Sequence, residues 1–470
     1  MNKRPFLILS AFLLLFSLTE KGQATETYHP ETSVAGFIQL PGSGRQVYNF
    51  NPGWRFFKGD VRGAEAMDFD DRSWEIVSTP HTVELMPAEA SGCRNYQGPA
   101  WYRKHFVIPS ETKGQRVTIH FEAAMGKQII YLNGKRVQEH IGGYLPFTLD
   151  LTANGVQAGD SCLLAVLTDN SDDKSYPPGK RQYTLDFAYH GGIYRDVWMI
   201  AKSPVAITDA LDSQTVAGGG VFVHFDKISD KSAQVCVKTE LQNDARHQET
   251  VTVETTLTDA DGKVIKRTSG KLSLKPGEKK SIGQQMEVKN PKLWSPDTPY
   301  LYRIQSRIKK GNQTIDGGIT RAGIRLAEFR GKDGFWLNGK PFGQLVGANR
   351  HQDFAYVGNA LPNSQQWRDA KRLRDAGCTI IRVAHYPQDP AFMDACDELG
   401  MFVIVATPGW QYWNKDPEFG ELVHQNTREM IRRDRNHPSV LMWEPILNET
   451  RYPLDFALKA LEITKEEYPY

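Results

Sequence analysis

The chain has 470 residues, of which 40% are hydrophobic and 24% are charged, and its formal net charge at pH 7 is +2. This length predicts about three globular domains. Because Lys and Arg are balanced by Asp and Glu, the charge gives no indication of binding to nucleic acid or to an anionic membrane. A small neutral substrate is therefore the expected partner.

The N-terminus has the order of segments of a secretory signal peptide. Lys3 and Arg4 precede an apolar run from Phe6 to Leu18, and polar and small residues follow up to Ala24. The run is too short to favour a transmembrane helix, and no Cys follows it that would favour a lipid anchor. Residues 1–24 are predicted to be a signal peptide, and the mature protein is predicted to be exported, either periplasmic or secreted.

The cysteines are few and widely separated. They predict neither a disulfide framework nor a zinc site by spacing, and most are expected to be buried thiols. The five are Cys93, Cys162, Cys236, Cys378 and Cys396.

Two β-rich regions follow the signal peptide. Residues 25–201 contain short β-type runs such as Val117–Phe121 and Gln128–Leu132, the second followed by an Asn133-Gly134 turn signal, and they predict an antiparallel jelly-roll sandwich. Residues 202–325 are also all-β, with alternation over Val251–Leu257, and predict a seven-strand immunoglobulin-like sandwich without a disulfide.

The pattern changes in residues 326–470, where strands alternate with helices. This alternation predicts βαβ units and a parallel sheet. Four units are present, about half of a (β/α)8 TIM barrel. The predicted strands are 345–348, 379–383, 401–406 and 440–443, and the predicted helices are 364–376, 390–399, 418–433 and 454–465.

The last predicted strand leads to a candidate catalytic carboxylate. The apolar run Val440–Trp443 is expected to be buried on both faces, and Glu449 follows at its C-terminal end. In a β/α barrel this end is the catalytic face, so Glu449 is a candidate general acid/base. Glu444 is expected to point away from the barrel interior if Trp443 points inward, which would make it a poor nucleophile.

Motifs along nearly the whole mature chain resemble glycoside hydrolase family 2. In the barrel segment the motifs are similar to those of the β-galactosidase and β-glucuronidase branch. The motifs in the β-rich regions are W-Y-R-K at Trp101, N-G-K at Asn133, G-G-I-Y-R-D-V at Gly191, N-P-K-L-W-S-P-D-T-P-Y-L-Y at Asn290, G-I-R at Gly323 and L-N-G-K-P at Leu337. Those of the barrel are G-A-N-R-H-Q-D at Gly347, R-V-A-H-Y-P at Arg382, N-H-P-S-V-L-M-W at Asn436 and the pair Asn448-Glu449.

The resemblance implies roles for individual residues. Glu449 matches the acid/base, and Asn448 matches an Asn that hydrogen-bonds the sugar 2-hydroxyl, as a retaining glycosidase requires. His351 and His385 match histidines that line the subsite of the reacting sugar. Arg382 matches an Arg that orients the active-site carboxylates.

Further substrate contacts are expected from two loops. Asp186 matches an Asp that, in galactosidases, reaches into the site and can help hold a sodium ion. Trp410, Tyr412 and Trp413 follow the third predicted strand and are expected to form an aromatic platform for a pyranose ring. The resemblance implies no required cofactor, with Na⁺ or Mg²⁺ used as in some galactosidase relatives.

The resemblance also leaves alternatives open. The family usually has W-S-x-G-N-E where this chain has the longer Trp443-Glu-Pro-Ile-Leu-Asn-Glu449, and the family nucleophile comes from a strand beyond residue 470. The expected function is that of an exo-acting retaining β-glycosidase, β-galactosidase-like, which acts on an oligosaccharide or β-glycoside. The nucleophile is expected to be absent from these residues, and a second chain could complete the barrel. The alternatives are a catalytically inactive truncated or carbohydrate-binding fragment, and a β-glucuronide or β-mannoside as substrate.

Overall fold

The structure is a computed structural model that describes residues 30–86, 95–185 and 187–470. The predicted signal peptide, Cys93 and Asp186 therefore lie outside the described residues. Within the described ranges, no helix combines the length and the apolar character that crossing a membrane requires.

The first β-rich region forms two antiparallel sheets that pack face to face, as predicted for a jelly roll. Its strands are β1 (Gln46–Asn49), β2 (Trp54–Lys58), β3 (Glu75–Val77), β4 (Pro99–Val107), β5 (Arg116–Phe121), β6 (Lys127–Leu132), β7 (Lys135–Ile141), β8 (Phe147–Asp150), β9 (Ser161–Asp169) and β10 (Val197–Lys202). One sheet has the order β3-β2-β4-β9-β6-β7 and the other β1-β10-β5-β8.

Alternating side chains of both sheets build the core of this sandwich. Trp54, Ile119, Phe121 and Ile130 are all fully buried between the sheets. The Asn133-Gly134 turn joins β6 to β7 with φ of 51° and 79°, the positive values that a tight hairpin turn requires.

The second β-rich region is an immunoglobulin-like sandwich with one strand more than predicted. Its eight strands are β11 (Val205–Ile207), β12 (Val221–Asp226), β13 (Ser232–Asn243), β14 (Glu249–Thr258), β15 (Val264–Leu274), β16 (Lys279–Lys289), β17 (Tyr302–Lys310) and β18 (Gln313–Ala322). In one sheet β13 pairs with β11, β12 and β16, and the other has the order β15-β14-β17-β18. The additional strand is the short β11, which pairs only with the end of β13 at Leu241–Asn243 and carries too few residues to show alternation.

A small antiparallel sheet connects this sandwich to the last region. Its strands are β19 (Ala327–Phe329), β20 (Phe335–Leu337) and β21 (Lys340–Pro341). Phe335 and Leu337 are buried with Trp294 and Phe402 in one apolar cluster, which joins the N-terminal side of the parallel sheet to the immunoglobulin-like sandwich.

The last region contains the four predicted βα units, about half of a TIM barrel. They are β22 (Gly347–Arg350), α1 (Asn363–Asp375), β23 (Ile380–Val383), α2 (Pro390–Leu399), β24 (Phe402–Ala406), α3 (Pro417–Asp434), β25 (Val440–Glu444) and α4 (Leu454–Glu467). The strands lie in chain order, β22-β23-β24-β25, and every pair is parallel. Helix α2 begins and ends as its sequence predicts, with Asp389 capping the N-terminus and Gly400 in the left-handed conformation at the C-terminus.

The two faces of this sheet differ, which corrects the expectation that β25 is buried on both. Ile381, Val383 and Val405 face the helices and are fully buried. On the other face, Met442 of β25 is 44% exposed. The helices cover one face of the four strands, whereas the described residues leave nearly half of the Met442 surface on the other face exposed.

The N-H-P motif before β25 holds the half barrel against the immunoglobulin-like sandwich. The Asn436 side chain accepts a hydrogen bond from the backbone N–H of Val223 (3.0 Å) and donates one to the backbone oxygen of Val221 (2.8 Å). His437 Nδ1 lies 2.7 Å from an Asp397 carboxylate oxygen. Although burial opposes it, the charge of Asp397 raises the pKa of His437 to about 9.

Candidate active site

The candidate site lies where the carboxyl ends of the four parallel strands meet. The register places Arg382 of β23 beside Asn349 of β22 and beside Ile404 of β24. Because all four strands run in one direction, the loops that follow them converge at one edge of the sheet. These loops carry most of the residues that the sequence singled out.

Arg382 connects two polar side chains of the last strand and its loop. Its Nε donates to Glu444 Oε2 at 2.7 Å, and its Nη2 donates to Asn448 Oδ1 at 3.0 Å. Since the Asn448 oxygen accepts from Arg382, its amide NH₂ points to His385 Nε2, 3.4 Å away. The guanidinium therefore orients both a carboxylate and the Asn that is expected to contact the sugar.

The expectation that Glu444 points away from the barrel interior is wrong. Trp443 packs on the helix side of the sheet, with its ring centroid 6.2 Å from that of Tyr468. Consecutive strand residues point to opposite faces, so Glu444 points inward and pairs with Arg382. The Trp443 indole packs in the core between the sheet and the helices, so it does not point into the barrel as was assumed from the sequence.

Glu449 lies in the loop after β25, next to the loop after β24. The backbone N–H of Asn448 donates to the oxygen of Gly409 (3.2 Å), and the N–H of Gln411 donates to the oxygen of Asn448 (2.9 Å). These bonds extend the pairing of β24 and β25 beyond the strands, so the longer loop still returns Glu449 to the sheet edge. Its carboxylate is exposed and accepts a hydrogen bond from Gln411 Nε2.

Gln411 and Lys180 are site residues that the sequence did not indicate. Lys180, in the jelly-roll region, donates through Nζ to Gln411 Oε1, and the Gln411 amide in turn donates to Glu449. A single Gln after a strand and a single Lys in a loop carry no pattern of their own. The pairing of the loops after β24 and β25 brings Gln411 to the carboxylate, and the packing of the jelly roll on the half barrel brings Lys180 to Gln411.

The two histidines lie at the same edge, among aromatic rings. His351 Nδ1 is 3.2 Å from the Tyr386 hydroxyl, and the His351 and His385 ring centroids are 5.7 Å apart. Phe187, from the jelly-roll region, packs on His351 with a centroid distance of 4.2 Å. Burial raises the pKa of Tyr386 above its ordinary value, so its hydroxyl keeps its proton for hydrogen bonding.

Trp410 belongs to an aromatic cluster between the jelly roll and the half barrel. It is 2% exposed, and its ring centroid is 4.5 Å from that of Phe187. Sequence reasoning missed this cluster because its members come from distant segments. They are Tyr144, Phe187, Tyr189, Tyr194, Tyr386 and Trp410.

The predicted platform of three aromatic side chains does not form. Trp410 is buried in the cluster just described, whereas Tyr412 and Trp413 pack on Phe419 at the start of α3. The Trp413 centroid is also 4.7 Å from that of Phe456 in α4. Sequence proximity suggested one surface, but the apolar side chains are divided between two separate cores.

The predicted contact of Asp186 with the site lies outside the described residues. Its neighbours Leu185 and Phe187 are buried in the aromatic cluster, which brings this segment beside His351. Because Asp186 is the residue that the resemblance assigns to a sodium ion, the sodium site stays a prediction, and the roles proposed below for Glu449 and Asn448 involve no ion.

Arg195, in the G-G-I-Y-R-D-V motif, fixes the jelly roll to this edge. The side chain is fully buried and its Nη2 donates to Gln352 Oε1 (3.0 Å) and to the backbone oxygen of Pro387 (2.9 Å). Both acceptors lie in loops that follow β22 and β23. The motif thus has a structural role, which is to hold the loops that carry His351 and His385.

Profiles of one family match three successive parts of the chain. Residues 67–204 match the sugar binding domain of glycosyl hydrolases family 2, residues 219–325 match glycosyl hydrolases family 2, and residues 329–466 match the TIM barrel domain of the same family. These matches follow the order of the three folded regions.

Curated relatives carry two different names. The chain is 35% identical over 421 residues to a β-galactosidase of Thermoanaerobacter pseudethanolicus, covering 89% of this chain and 54% of the relative. It is 31% identical over 424 residues to a β-glucuronidase of Formosa agariphila, covering 86% of this chain and 42% of the relative. The chain spans about half the length of these relatives.

Solved structures give the same picture. Bacteroides uniformis β-glucuronidase 2, covalently bound to cyclophellitol-6-carboxylate aziridine, is 31% identical with a TM-score of 0.81, covering 90% of this chain and 52% of that one. For a putative β-galactosidase from Bacteroides fragilis the identity is 31% and the TM-score 0.81, with 91% of this chain and 63% of that one covered. With its sugar-binding, central and partial TIM-barrel domains in the family's order, the chain belongs to glycosyl hydrolase family 2.

Proposed function

We propose that this chain supplies the acid/base side of an exo-acting retaining β-glycosidase, β-galactosidase-like in its substrate. The observation that carries the proposal is the placement of Asn448 and Glu449 at the carboxyl edge of the sheet, with Asn448 held by Arg382 at 3.0 Å. An amide beside a carboxylate is what a retaining glycosidase uses to bind the sugar 2-hydroxyl and to protonate the leaving oxygen.

Glu449 has two successive roles in this proposal. It first protonates the glycosidic oxygen as the bond to the anomeric carbon breaks, and it then removes a proton from the water that hydrolyses the glycosyl-enzyme. Its exposed carboxylate, which accepts from Gln411, leaves one side open to a substrate. His351 and His385 would line the subsite of the reacting sugar, and Phe187 would contribute an apolar wall.

The nucleophile is assigned to neither Glu444 nor Glu449. Glu444 is held in a pair with Arg382, a position that suits the ordering of the site more than attack on a sugar. In the proposed enzyme, the nucleophilic carboxylate comes from the other half of the barrel, about 5–5.5 Å from Glu449 as retention requires. That half would be supplied by further residues or by a second polypeptide.

The substrate class is proposed from the relatives. The relative at 35% identity is named a β-galactosidase, which supports a β-galactoside, and the relative at 31% named a β-glucuronidase makes a β-glucuronide the alternative to test first. A β-mannoside is the third candidate. An inactive, carbohydrate-binding polypeptide is the alternative of a different class.

The test assays the chain alone and together with a polypeptide that supplies the second barrel half of the Thermoanaerobacter relative. Nitrophenyl and natural β-galactosides, glucuronides and mannosides are compared. We expect turnover only in the completed barrel. In it, Glu449→Gln should slow the first step for poor leaving groups by about 10²–10⁴-fold and change that step little for activated ones, which then accumulate as the glycosyl-enzyme because the base of the second step is missing. Azide should restore the second step for the activated substrates.

Two variants make this test decisive. Glu421→Gln, an exposed carboxylate on α3, serves as the matched control and should leave turnover unchanged. If azide rescues Glu444→Gln while Glu449→Gln keeps its activity on poor leaving groups, the acid/base role belongs to Glu444. If the completed barrel binds sugar without turnover, the inactive alternative is correct.

Export is proposed from the signal-peptide pattern of residues 1–24. Expression of the full chain in a bacterium with an active secretory pathway should give a product that begins near residue 25 outside the cytoplasm. N-terminal sequencing of the exported fraction checks this, and a product that keeps Met1 in the cytoplasm would contradict it.

A further inference from the structure

Three metal-binding side chains meet on the outer face of the immunoglobulin-like sandwich, far in sequence from the candidate active site. They are His224 and Asp226 of β12 and Cys236 of β13, and one ligand atom from each lies within 4.8 Å of the other two. Cys236 Sγ is 3.4 Å from Asp226 Oδ2, and His224 Nε2 is 3.8 Å from the same oxygen.

The β-sheet itself creates this arrangement. His224 and Cys236 are directly opposite each other in the antiparallel pairing of β12 with β13. Asp226 is two residues after His224, so it projects from the same face of the sheet. The residues that precede His224 and Cys236, Val223 and Val235, point into the sandwich core, and Phe225 between His224 and Asp226 packs on that core, so the three ligands point outward.

The separations agree with those of a tetrahedral zinc site. Zinc–sulfur bonds of about 2.3 Å and zinc–nitrogen or zinc–oxygen bonds of about 2.0 Å place a thiolate roughly 3.5 Å and an imidazole roughly 3.3 Å from a carboxylate ligand atom. The observed contacts of 3.4 Å and 3.8 Å differ from these by a few tenths of an ångström or less. The third pair, Cys236 and His224, lies within 4.8 Å, so these two side chains close on the ion by roughly 1 Å while the strands keep their register.

We propose that His224, Asp226 and Cys236 bind one Zn²⁺ ion, with water as the fourth ligand. Thiolate, imidazole and carboxylate together are a donor set that zinc accepts, and the two anionic ligands balance its charge. Without metal, the Cys236 thiol donates to Asp226. On binding, the sulfur–zinc bond replaces the sulfur–hydrogen bond and the proton goes to solvent.

The surroundings allow an ion to enter and give it a structural consequence. Asp226 is 48% exposed at its side chain, whereas Cys236 is buried, so the cluster opens to solvent on the Asp226 side. The ring of Tyr470 stacks on His224 with a centroid distance of 3.5 Å. Bound zinc would therefore cross-link β12 to β13 beside the contact between this sandwich and the residues that follow α4.

The experiment titrates the 470-residue chain, freed of metal by a chelator, with Zn²⁺ in competition with a chromophoric chelator. Co²⁺ is used in parallel because a cobalt–thiolate bond gives a charge-transfer absorption that ligands without sulfur do not. We expect one Zn²⁺ that depends on Cys236, the cobalt–thiolate absorption, and a rise in the melting temperature of the sandwich with zinc.

Variants of two of the ligands complete the test. Cys236→Ser should abolish the thiolate absorption, and Asp226→Asn, at an exposed position that tolerates the change, should weaken zinc binding by at least about tenfold. Cys162→Ser removes another buried free thiol, in the jelly roll, and should change neither readout. Zinc binding of equal affinity and stoichiometry in the wild type and in both ligand variants would overturn the proposal, as would the absence of the thiolate absorption in the folded wild type.

Discussion

The jelly-roll sandwich and the four-stranded parallel sheet bury their side chains in different ways. In the sandwich, two sheets face each other and residues such as Trp54 and Phe121 are fully buried between them. In the parallel sheet, the helices bury Ile381 and Val405, but Met442 on the other face is 44% exposed. The comparison shows that an antiparallel sandwich closes its core with its own strands, whereas strands of a barrel depend on other strands of that barrel to cover their inner face.

The same difference explains where the polar side chains lie. The inner face of the parallel sheet carries the Arg382–Glu444 pair and the neighbouring Asn448. A charged network of this kind needs room for substrate and water, which an interdigitated sandwich core does not offer. The helix-facing side of the parallel sheet thus carries the apolar core, and its inner face carries the polar residues of the candidate site.

The largest expected effect is the difference in unfolding free energy lost when a side chain is truncated in the sandwich core and on the exposed inner face of the parallel sheet. Trp54→Ala removes a fully buried indole that packs on Phe50 and should cost about 3–5 kcal/mol of unfolding free energy. Met442→Ala should cost less than about 1 kcal/mol because the side chain is largely exposed. Peptide-resolved hydrogen exchange separates the regions, and Leu458→Ala on the exposed side of α4 is the surface control. Equal losses for the two variants would contradict the comparison.

A pH effect of similar size is expected at His437, in the N-H-P motif that holds the half barrel against the immunoglobulin-like sandwich. The Asp397 carboxylate raises the pKa of half-buried His437 from 6.5 to about 9. A raised folded-state pKa adds stability that is complete below about pH 6.5 and is lost as the pH rises through about 9, up to about 3 kcal/mol. Unfolding free energies of wild type and His437→Gln should therefore differ most at acidic pH and converge above pH ~9. A difference that grows with pH would show that the pair does not bind the proton in this way.

Thiol labelling tests whether the parallel sheet opens more readily than the sandwich. Cys396 in α2 is fully buried and Cys162 in β9 is 4% exposed, so neither reacts without opening of its surroundings. In single-thiol variants of the 470-residue chain, Cys396 should label at least about tenfold faster, which corresponds to about 1.4 kcal/mol less opening free energy. Rates are normalised to the unfolded chain, and half-buried Cys378 is the reference for a thiol that is accessible in the folded protein. Equal normalised rates for Cys162 and Cys396 would mean that the two regions open together.

The smallest effect concerns the contact between Lys180 of the jelly roll and Gln411 of the half barrel, next to the proposed acid/base. Gln411→Ala removes the amide between Lys180 and Glu449. The activation free energy that kcat/KM of the completed enzyme measures should rise by about 0.5–1.5 kcal/mol, since the hydrogen bond to the carboxylate is lost. Gln425→Ala, a change on α3, is the matched control. An unchanged kcat/KM would show that Gln411 does not position Glu449.

Local sequence patterns were sufficient for most of the fold. The bounds of α2 were predicted residue for residue, because Asp389, Pro390 and Gly400 are signals that act within a few positions. The short β11 was missed, since three residues show no period and pairing with β13 alone makes them a strand. The boundaries drawn at residues 201 and 325 remain predictions.

The candidate site was predictable where a motif is continuous and not where its members come from several segments. Asn448 and Glu449 follow a recognisable strand, so their edge of the sheet could be inferred from the sequence. Phe187 could not be assigned, because it becomes a neighbour of the site only when the jelly roll packs on the half barrel. Gln411 could not be assigned either, because its contact with Glu449 depends on the pairing of two loops that are distant in sequence. The direction of Glu444 was predicted wrongly for a related reason, since it depends on which face buries Trp443.

The sequence by itself determined the order of the β and βα regions, the carboxyl edge at which the candidate residues gather, and the family, because periodicity, caps and contiguous motifs are local properties. Only the tertiary structure decided that Trp410 is buried in the aromatic cluster, that Arg382 pairs with Glu444 and Asn448, and that Cys236 lies beside His224 and Asp226. The spacing of cysteines along the chain gave no sign of that last cluster. Cross-strand register brings residues a dozen positions apart into contact, and packing between regions fixes which side of a strand is buried. Neither the register nor the packing is encoded in a short segment of sequence.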